Sequence, residues 1–193
     1  MARHATSSYL GSWLRYMAGS RLAPYVPAPS AVGTTMLQLA RLSPHEVVLD
    51  LGCGDGRLLR QAVHEFGAAS AVGYELDEGL VATARDLNGD DERLCVRLAD
   101  ALSAADDIAR ADVVALYLTE AGNAALLPLL RQSMRPTARV VSYCWGLAGL
   151  APTRSAVASG EGVVLSLGRP NVLLWERADV MRDAAASRST DTR

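Results

Sequence analysis

The stretch that most constrains this chain is VVLDLGCGDGRLL, Val47 to Leu59. An apolar, β-branched run ends in an acid, three glycines follow at alternate positions, and a helical pattern begins at Arg57. Glycines at Gly52, Gly54 and Gly56 let a backbone turn sharply and approach a ligand closely, and the helix behind them presents unpaired N–H groups. A dinucleotide-binding turn wants G-x-G-x-x-G, with its third glycine at position 57, which is Arg here. The same geometry would also serve a ligand-free strand–helix turn.

Around this turn the chain alternates. Apolar runs at 46–51, 70–75, 93–98, 111–118 and 138–144 read as strands. Helical patterns fill 57–66, 78–88 and 122–134, with a weaker one at 101–109. Such alternation predicts a parallel sheet covered by helices on both faces. Ahead of it, LAPYVPAPS (Leu22 to Ser30) has three prolines and must be extended or turned. Ser30 then caps a helix over Ala31 to Leu42. Near the end, EGVVLSLG and NVLLWERA are separated only by Arg169 and Pro170. So short a connection forces an antiparallel pair. The expected organisation is an N-terminal segment over 1–23, one α/β domain over 24–179 and a frayed tail over 180–193.

Net charge is −2, so nothing global points to nucleic acid. The charge is unevenly placed. No acid precedes Glu46, so the first 45 residues carry +4 and the remainder −6 (15 Arg against 21 acids). All 19 basic residues are Arg. Cys53, Cys95 and Cys144 lie far apart, which suits a reducing compartment, and His4, His45 and His64 have no metal-ligand spacing. No metal is expected. In the first 21 residues, Tyr9, Leu10, Trp13, Leu14, Tyr16 and Met17 share one helical side. Three readings stay open: a helix packed on the domain, a mitochondrial or plastid targeting segment, or an interfacial helix touching a membrane surface. Without targeting, the expected location is the cytoplasm.

Five alternating strands and a closing hairpin, with an acid two residues before G-x-G-x-G, resemble the class I S-adenosylmethionine-dependent methyltransferases. The resemblance implies an α/β, Rossmann-like sheet of seven strands, mostly parallel with one antiparallel C-terminal strand. It implies S-adenosylmethionine as cofactor, its amino-acid end near Asp50, Gly52, Cys53, Gly54 and Gly56. Glu75, ending the second strand, would accept from the ribose diol. Asp100, ending the third, would read the adenine with Ala101 beside the ring, unless it only caps the next helix.

PYVPAP, MLQLARLSPHEVVLDLGCGDGR, DVVALYL and LLPLLRQSMRPTARVVSY further resemble the small lysine methyltransferases of the ATP synthase c-subunit and adenine nucleotide translocase type, with their prokaryotic relatives. That likeness spans Pro24 to Tyr143 and implies a protein substrate methylated on lysine, by a monomeric enzyme. It would carry Tyr25 toward the cofactor and place Tyr117, Glu120 and Asn123 near the acceptor, so that Glu120→Ala should cut turnover more than cofactor affinity. The chain departs from the family pattern after strands four and five, at Thr119, Glu120 and Ala121 and at Tyr143 and Cys144. The 50% hydrophobic composition permits an alternative, a small apolar acceptor, and the altered Thr119–Ala121 run keeps another alive, a non-catalytic cofactor-binding partner subunit.

Overall fold

The computed structural model describes residues 13–14, 16–19, 22–160, 163 and 171–182. Strand β1 (Val47–Leu51) lies in the middle of a seven-stranded sheet, because its side chains are apolar on both faces. Val48 points into one core with Ala62, Val113 and Val141, and Leu49 into the other with Ile108, Val114 and Leu126. That is the period of two expected of a strand buried on both sides.

The other strands are β2 (Ser70–Glu75), β3 (Leu94–Leu98), β4 (Val113–Leu116), β5 (Arg139–Tyr143), β6 (Arg154–Ala156) and β7 (Val172–Glu176), in the spatial order β3-β2-β1-β4-β5-β7-β6. β1 to β5 are parallel, and β7 runs antiparallel between β5 and β6. Helices α1 (Ser30–Leu39), α2 (Arg57–His64) and α3 (Glu78–Asn88) cover one face. Helices α4 (Ala105–Arg110), α5 (Glu120–Ser133) and α6 (Arg177–Val180) cover the other. Pro128 interrupts the α5 ladder on the exposed side, where the Ala124 carbonyl it strands meets water. Trp175 and Tyr143 are the largest fully buried side chains; large apolar groups contribute about 1.5–3 kcal/mol each when buried.

Two boundaries differ from the sequence reading. The strand beside β7 is the three-residue Arg154–Ala156, with no apolar run to announce it. The expected strand over 161–168 lies outside the described residues apart from Val163, which is in no strand and packs on the core. The packed chain also runs past 179: Val180 is fully buried, and residues 183–193 lie outside the described residues.

The order matters for the site. The chain leaves β1 toward β2 and β3, then crosses back to place β4 on the other side of β1. Open α/β sheets bind ligands in the crevice above the strand ends at such a reversal.

Candidate active site

A cleft of about 840 Å3 opens at that reversal. The tips of four strands line it: Asp50 and Gly52 after β1, Tyr74 and Glu75 on β2, Ala99 and Asp100 after β3, Tyr117 and Leu118 after β4. The fourth wall is the proline-rich segment Leu22–Ser30.

The glycine turn is pinned from below. Gly52 and Cys53 both donate their N–H to the Tyr74 carbonyl at 2.9 Å. Gly54 donates to Glu75 Oε2 at 3.1 Å, while Leu76 and Asp77 donate to Glu75 Oε1. Glu75 thus ties the turn to the end of β2 and faces the cleft from there. Gly54 has φ +56°, and a Cβ on it would stand 2.6 Å from the Tyr25 ring. Tyr25 therefore sits against the turn, on the one residue type that leaves room for it. Gly56, at φ +73°, is the left-handed residue from which α2 starts.

Charge in the cleft is divided. Asp55 sits between burial, which pushes its carboxyl up, and a bidentate pair with Arg57 (2.9 and 2.7 Å), which brings it below the usual range. Arg60 adds a hydrogen bond to the Asp55 carbonyl. Asp50 has no such partner: among the described residues no cation pairs with it. Only 6% exposed, it is pushed up to about 7, first by burial and then by the charges of Glu75 and Asp55. A buried carboxylate in that position is completed by an incoming cation. The cleft's arginines, on the α2 side, are occupied by Asp55.

At the other end, Tyr117 meets Tyr143 edge-on at 4.8 Å, and Trp145 stands on the rim, 48% exposed. Trp13 and Tyr16, edge-on to each other at 6.0 Å, line the same cleft. Leu14 and Met17 are exposed. The targeting and membrane-surface readings rest on residues 1–21, of which 1–12, 15, 20 and 21 lie outside the described residues.

Most of the residues singled out by sequence meet here. Asp50, Gly52, Cys53, Gly54, Glu75, Asp100, Ala101, Tyr25 and Tyr117 all line the cleft. Asp100 is there while also donating order locally: its Oδ1 accepts from the Leu102 N–H and caps the short turn Ala101–Ser103. Asp77, two residues beyond Glu75, is the N-cap of α3. The Cys53 side chain packs under the turn against Gly73, and burial raises its thiol well above the usual range, so it offers the ligand no thiolate. Gly56 stands behind the turn, against Ala84.

The structure separates the other two acceptor-side candidates from the cleft. Glu120 is exposed in the first turn of α5 and is not among the lining residues. Asn123 is fully buried, and its Nδ2 donates to the Trp145 carbonyl (2.9 Å), the Gly146 carbonyl (3.2 Å) and Ser142 Oγ (3.3 Å). It holds the loop that carries Trp145. Trp145 and Thr119 are cleft residues the sequence did not mark for function; no motif signals a rim aromatic so far from the glycines.

Residues 50–154 of the chain match the ANTKMT methyltransferase domain. The chain belongs to that family of S-adenosylmethionine-dependent methyltransferases. It is 35% identical over 132 residues to a protein-lysine N-methyltransferase of Saccharolobus islandicus (strain REY15A), covering 67% of this chain and 81% of that one. A 62-residue stretch is 45% identical to the adenine nucleotide translocase lysine N-methyltransferase of Mus musculus, spanning 32% of this chain and 26% of the mouse protein. Among solved structures, an RNA methyltransferase from Salinibacter ruber in complex with S-adenosyl-L-homocysteine superposes with a TM-score of 0.67 at 35% identity, covering 78% of this chain and 92% of that one.

The site of this methyltransferase fits its cofactor. Asp50, Glu75, Asp100 and Ala101 line the cleft together and are the residues that would hold it: Asp50 is a buried carboxyl with no cation paired to it among the described residues, and Glu75 and Asp100 add acceptor oxygens. Bound there, S-adenosylmethionine supplies a methyl group on a sulfonium, open to in-line displacement.

Proposed function

We propose that the chain is a protein-lysine N-methyltransferase whose acceptor enters between Tyr117, Trp145 and the segment Leu22–Tyr25. The observation that carries this reading is the chemistry of that end of the cleft. Among the described residues, those lining the cleft beside the end of β4 are aromatic or uncharged, namely Leu22, Ala23, Tyr117, Leu118, Thr119 and Trp145, whereas the charged Asp55, Arg57, Arg60 and Glu65 belong to the glycine turn and α2. Aromatic faces attract an ammonium or a methylated amine. A phosphate backbone would instead need free Lys or Arg. The chain contains no Lys, and Arg57 is engaged by Asp55.

The residues address what a lysine needs. Its ordinary pKa of about 10.4 puts the cost of deprotonation at pH 7 near 4.6 kcal/mol. Partial removal of the amine from water against Tyr117 and the strap would lower that cost, since the neutral amine loses less hydration than the ammonium. Tyr117, whose own hydroxyl is pushed up by burial, stays neutral there and offers an oxygen to the amine. The rest is placement of amine and methyl donor in line.

The names of the relatives divide between protein and RNA acceptors, so the experiment offers both. The purified chain is incubated with methyl-labelled S-adenosylmethionine and either cell-extract protein or total RNA, and hydrolysates are searched for methyl-lysine and methyl-nucleosides. Because the chain has no Lys, labelled lysine cannot come from its own side chains. Methyl-lysine from the protein arm supports the reading. Label confined to nucleosides, or to a lipid-soluble product, overturns it.

A further inference from the structure

The segment Leu22–Pro29 is a strap fastened on two sides of the cleft. Its three prolines lack N–H groups, so it joins neither sheet nor helix, yet every residue of it lines the cleft. On the α2 side, Arg57 Nη1 donates to the Ala28 carbonyl at 3.0 Å, and Tyr25 rests on Gly54. On the β4 side, Thr119 Oγ1 donates to the Leu22 carbonyl at 2.8 Å. Next to that bond Gly122 has no side chain, and a Cβ there would stand 2.6 Å from the same carbonyl oxygen. The strap's acceptor-side end is therefore seated against the start of α5 and held by one hydroxyl.

Thr119 does two things at once. Its oxygen accepts the Gly122 N–H at 3.1 Å as the N-cap of α5, and its proton goes to the strap. The residue type matters at this position: an acid would still cap the helix but would have no proton to give Leu22.

We propose that Thr119 is a positioning residue that latches the strap Leu22–Pro29 as the acceptor-side wall of the cleft, acting on methyl transfer rather than on cofactor binding. This rests on the reading that the cleft takes S-adenosylmethionine. The cradle for that cofactor is the glycine turn with Glu75, and the Arg57 and Tyr25 fastenings remain beside it when the latch is lost.

Three variants separate the roles. Thr119→Ser keeps cap and latch, Thr119→Asp keeps the cap and removes the latch proton, and Thr119→Val removes both. Hydrogen exchange of the peptide 22–30 is followed in the unliganded chain. S-adenosylhomocysteine affinity is measured by calorimetry, and methyl transfer with extract protein as acceptor. The expectation is about fivefold faster exchange and about fivefold slower transfer for Asp and Val, set by the loss of one hydrogen bond. The S-adenosylhomocysteine Kd stays within twofold, and Ser matches the wild type. Unchanged exchange in both Asp and Val overturns the latch, as does an S-adenosylhomocysteine Kd that rises as much as transfer falls. Wild-type chain that binds no S-adenosylhomocysteine overturns the cofactor reading instead, and the exchange result still decides the latch.

Discussion

The two ends of the cleft are built differently. The end over β1, β2 and β3 is assembled from strand tips and one tight turn: Asp50, the glycines, Glu75 and Asp100 sit where neighbouring parallel strands finish together. The end over β4 and β5 is assembled from segments distant in sequence, Leu22–Tyr25, Tyr117 and Trp145, joined by the Thr119–Leu22 and Asn123–Trp145 hydrogen bonds. The first end carries at Asp50 a buried carboxyl with no cation paired to it among the described residues. The second carries aromatic surface. On the reading proposed above, backbone and charge suit the first end to a cationic cofactor, and side chains held by loops suit the second to an acceptor.

The sharpest way to break this comparison is Asp50→Asn. The substitution keeps the shape and removes the charge that pairs with the cofactor's ammonium. S-adenosylhomocysteine affinity should fall about 100-fold, since a buried charged interaction of this kind is worth about 3 kcal/mol. Stability should move the other way. Asp50 ionises at 3.8 in the unfolded chain and about 7 in the fold, so the folded state resists losing this proton. The penalty is absent below pH 4, grows between pH 4 and 7, and is complete above 7. Urea unfolding at pH 7.5 should therefore show the Asn variant more stable by on the order of 2–4 kcal/mol, with the difference gone near pH 4. A variant that is less stable at pH 7.5 but still binds would show that the Asp50 carboxylate is not the cofactor's anion.

The same carboxyl gives the next largest effect. Below pH 7 Asp50 must release its proton before it can pair with an ammonium. Affinity for S-adenosylhomocysteine, measured by calorimetry from pH 7 down to 5, should drop by up to tenfold per pH unit, with proton release on binding. The Asn variant should lose that slope. A flat wild-type profile would mean that another group supplies the anion.

These differences explain what the sequence could disclose. Gly52, Gly54, Asp50 and Glu75 announce themselves because a tight turn after a strand demands particular residue types at fixed spacing, and because consecutive parallel strands end side by side. The sheet is legible for a related reason: Val48 and Leu49 must face opposite cores, so β1 reads as an unbroken apolar run. β6 is not legible, since Arg154–Ala156 is an edge strand with exposed and half-buried positions and no apolar pattern. Asn123 illustrates the acceptor end. Its position after strand four suggested chemistry, but its amide faces the Trp145 and Gly146 carbonyls, a partnership set by how α5 packs on the loop after β5. Nothing in the spacing of 123 and 145 reveals that contact.

Trp145→Ala tests the acceptor end alone. The ring is on the rim, away from the glycine turn, so its loss should leave S-adenosylhomocysteine affinity within twofold. Transfer to protein lysine should fall about fivefold, the value of one partly exposed aromatic face to an amine. Equal losses in affinity and transfer would mean that the two ends are not separable.

The smallest effect is expected from Glu120→Ala. Its place one residue after Thr119 suggested a group that draws the proton from the acceptor amine. In the fold it is exposed, in the first turn of α5 and outside the cleft lining, where a carboxylate chiefly complements the positive end of the helix. The variant should lose about 0.3–1 kcal/mol of stability at low salt and less in 1 M salt, with transfer within twofold of wild type. A tenfold fall in transfer at unchanged stability would bring Glu120 to the amine. It would also mean that the acceptor end carries a charge of its own, which would erase the division between a charged cradle and an uncharged wall.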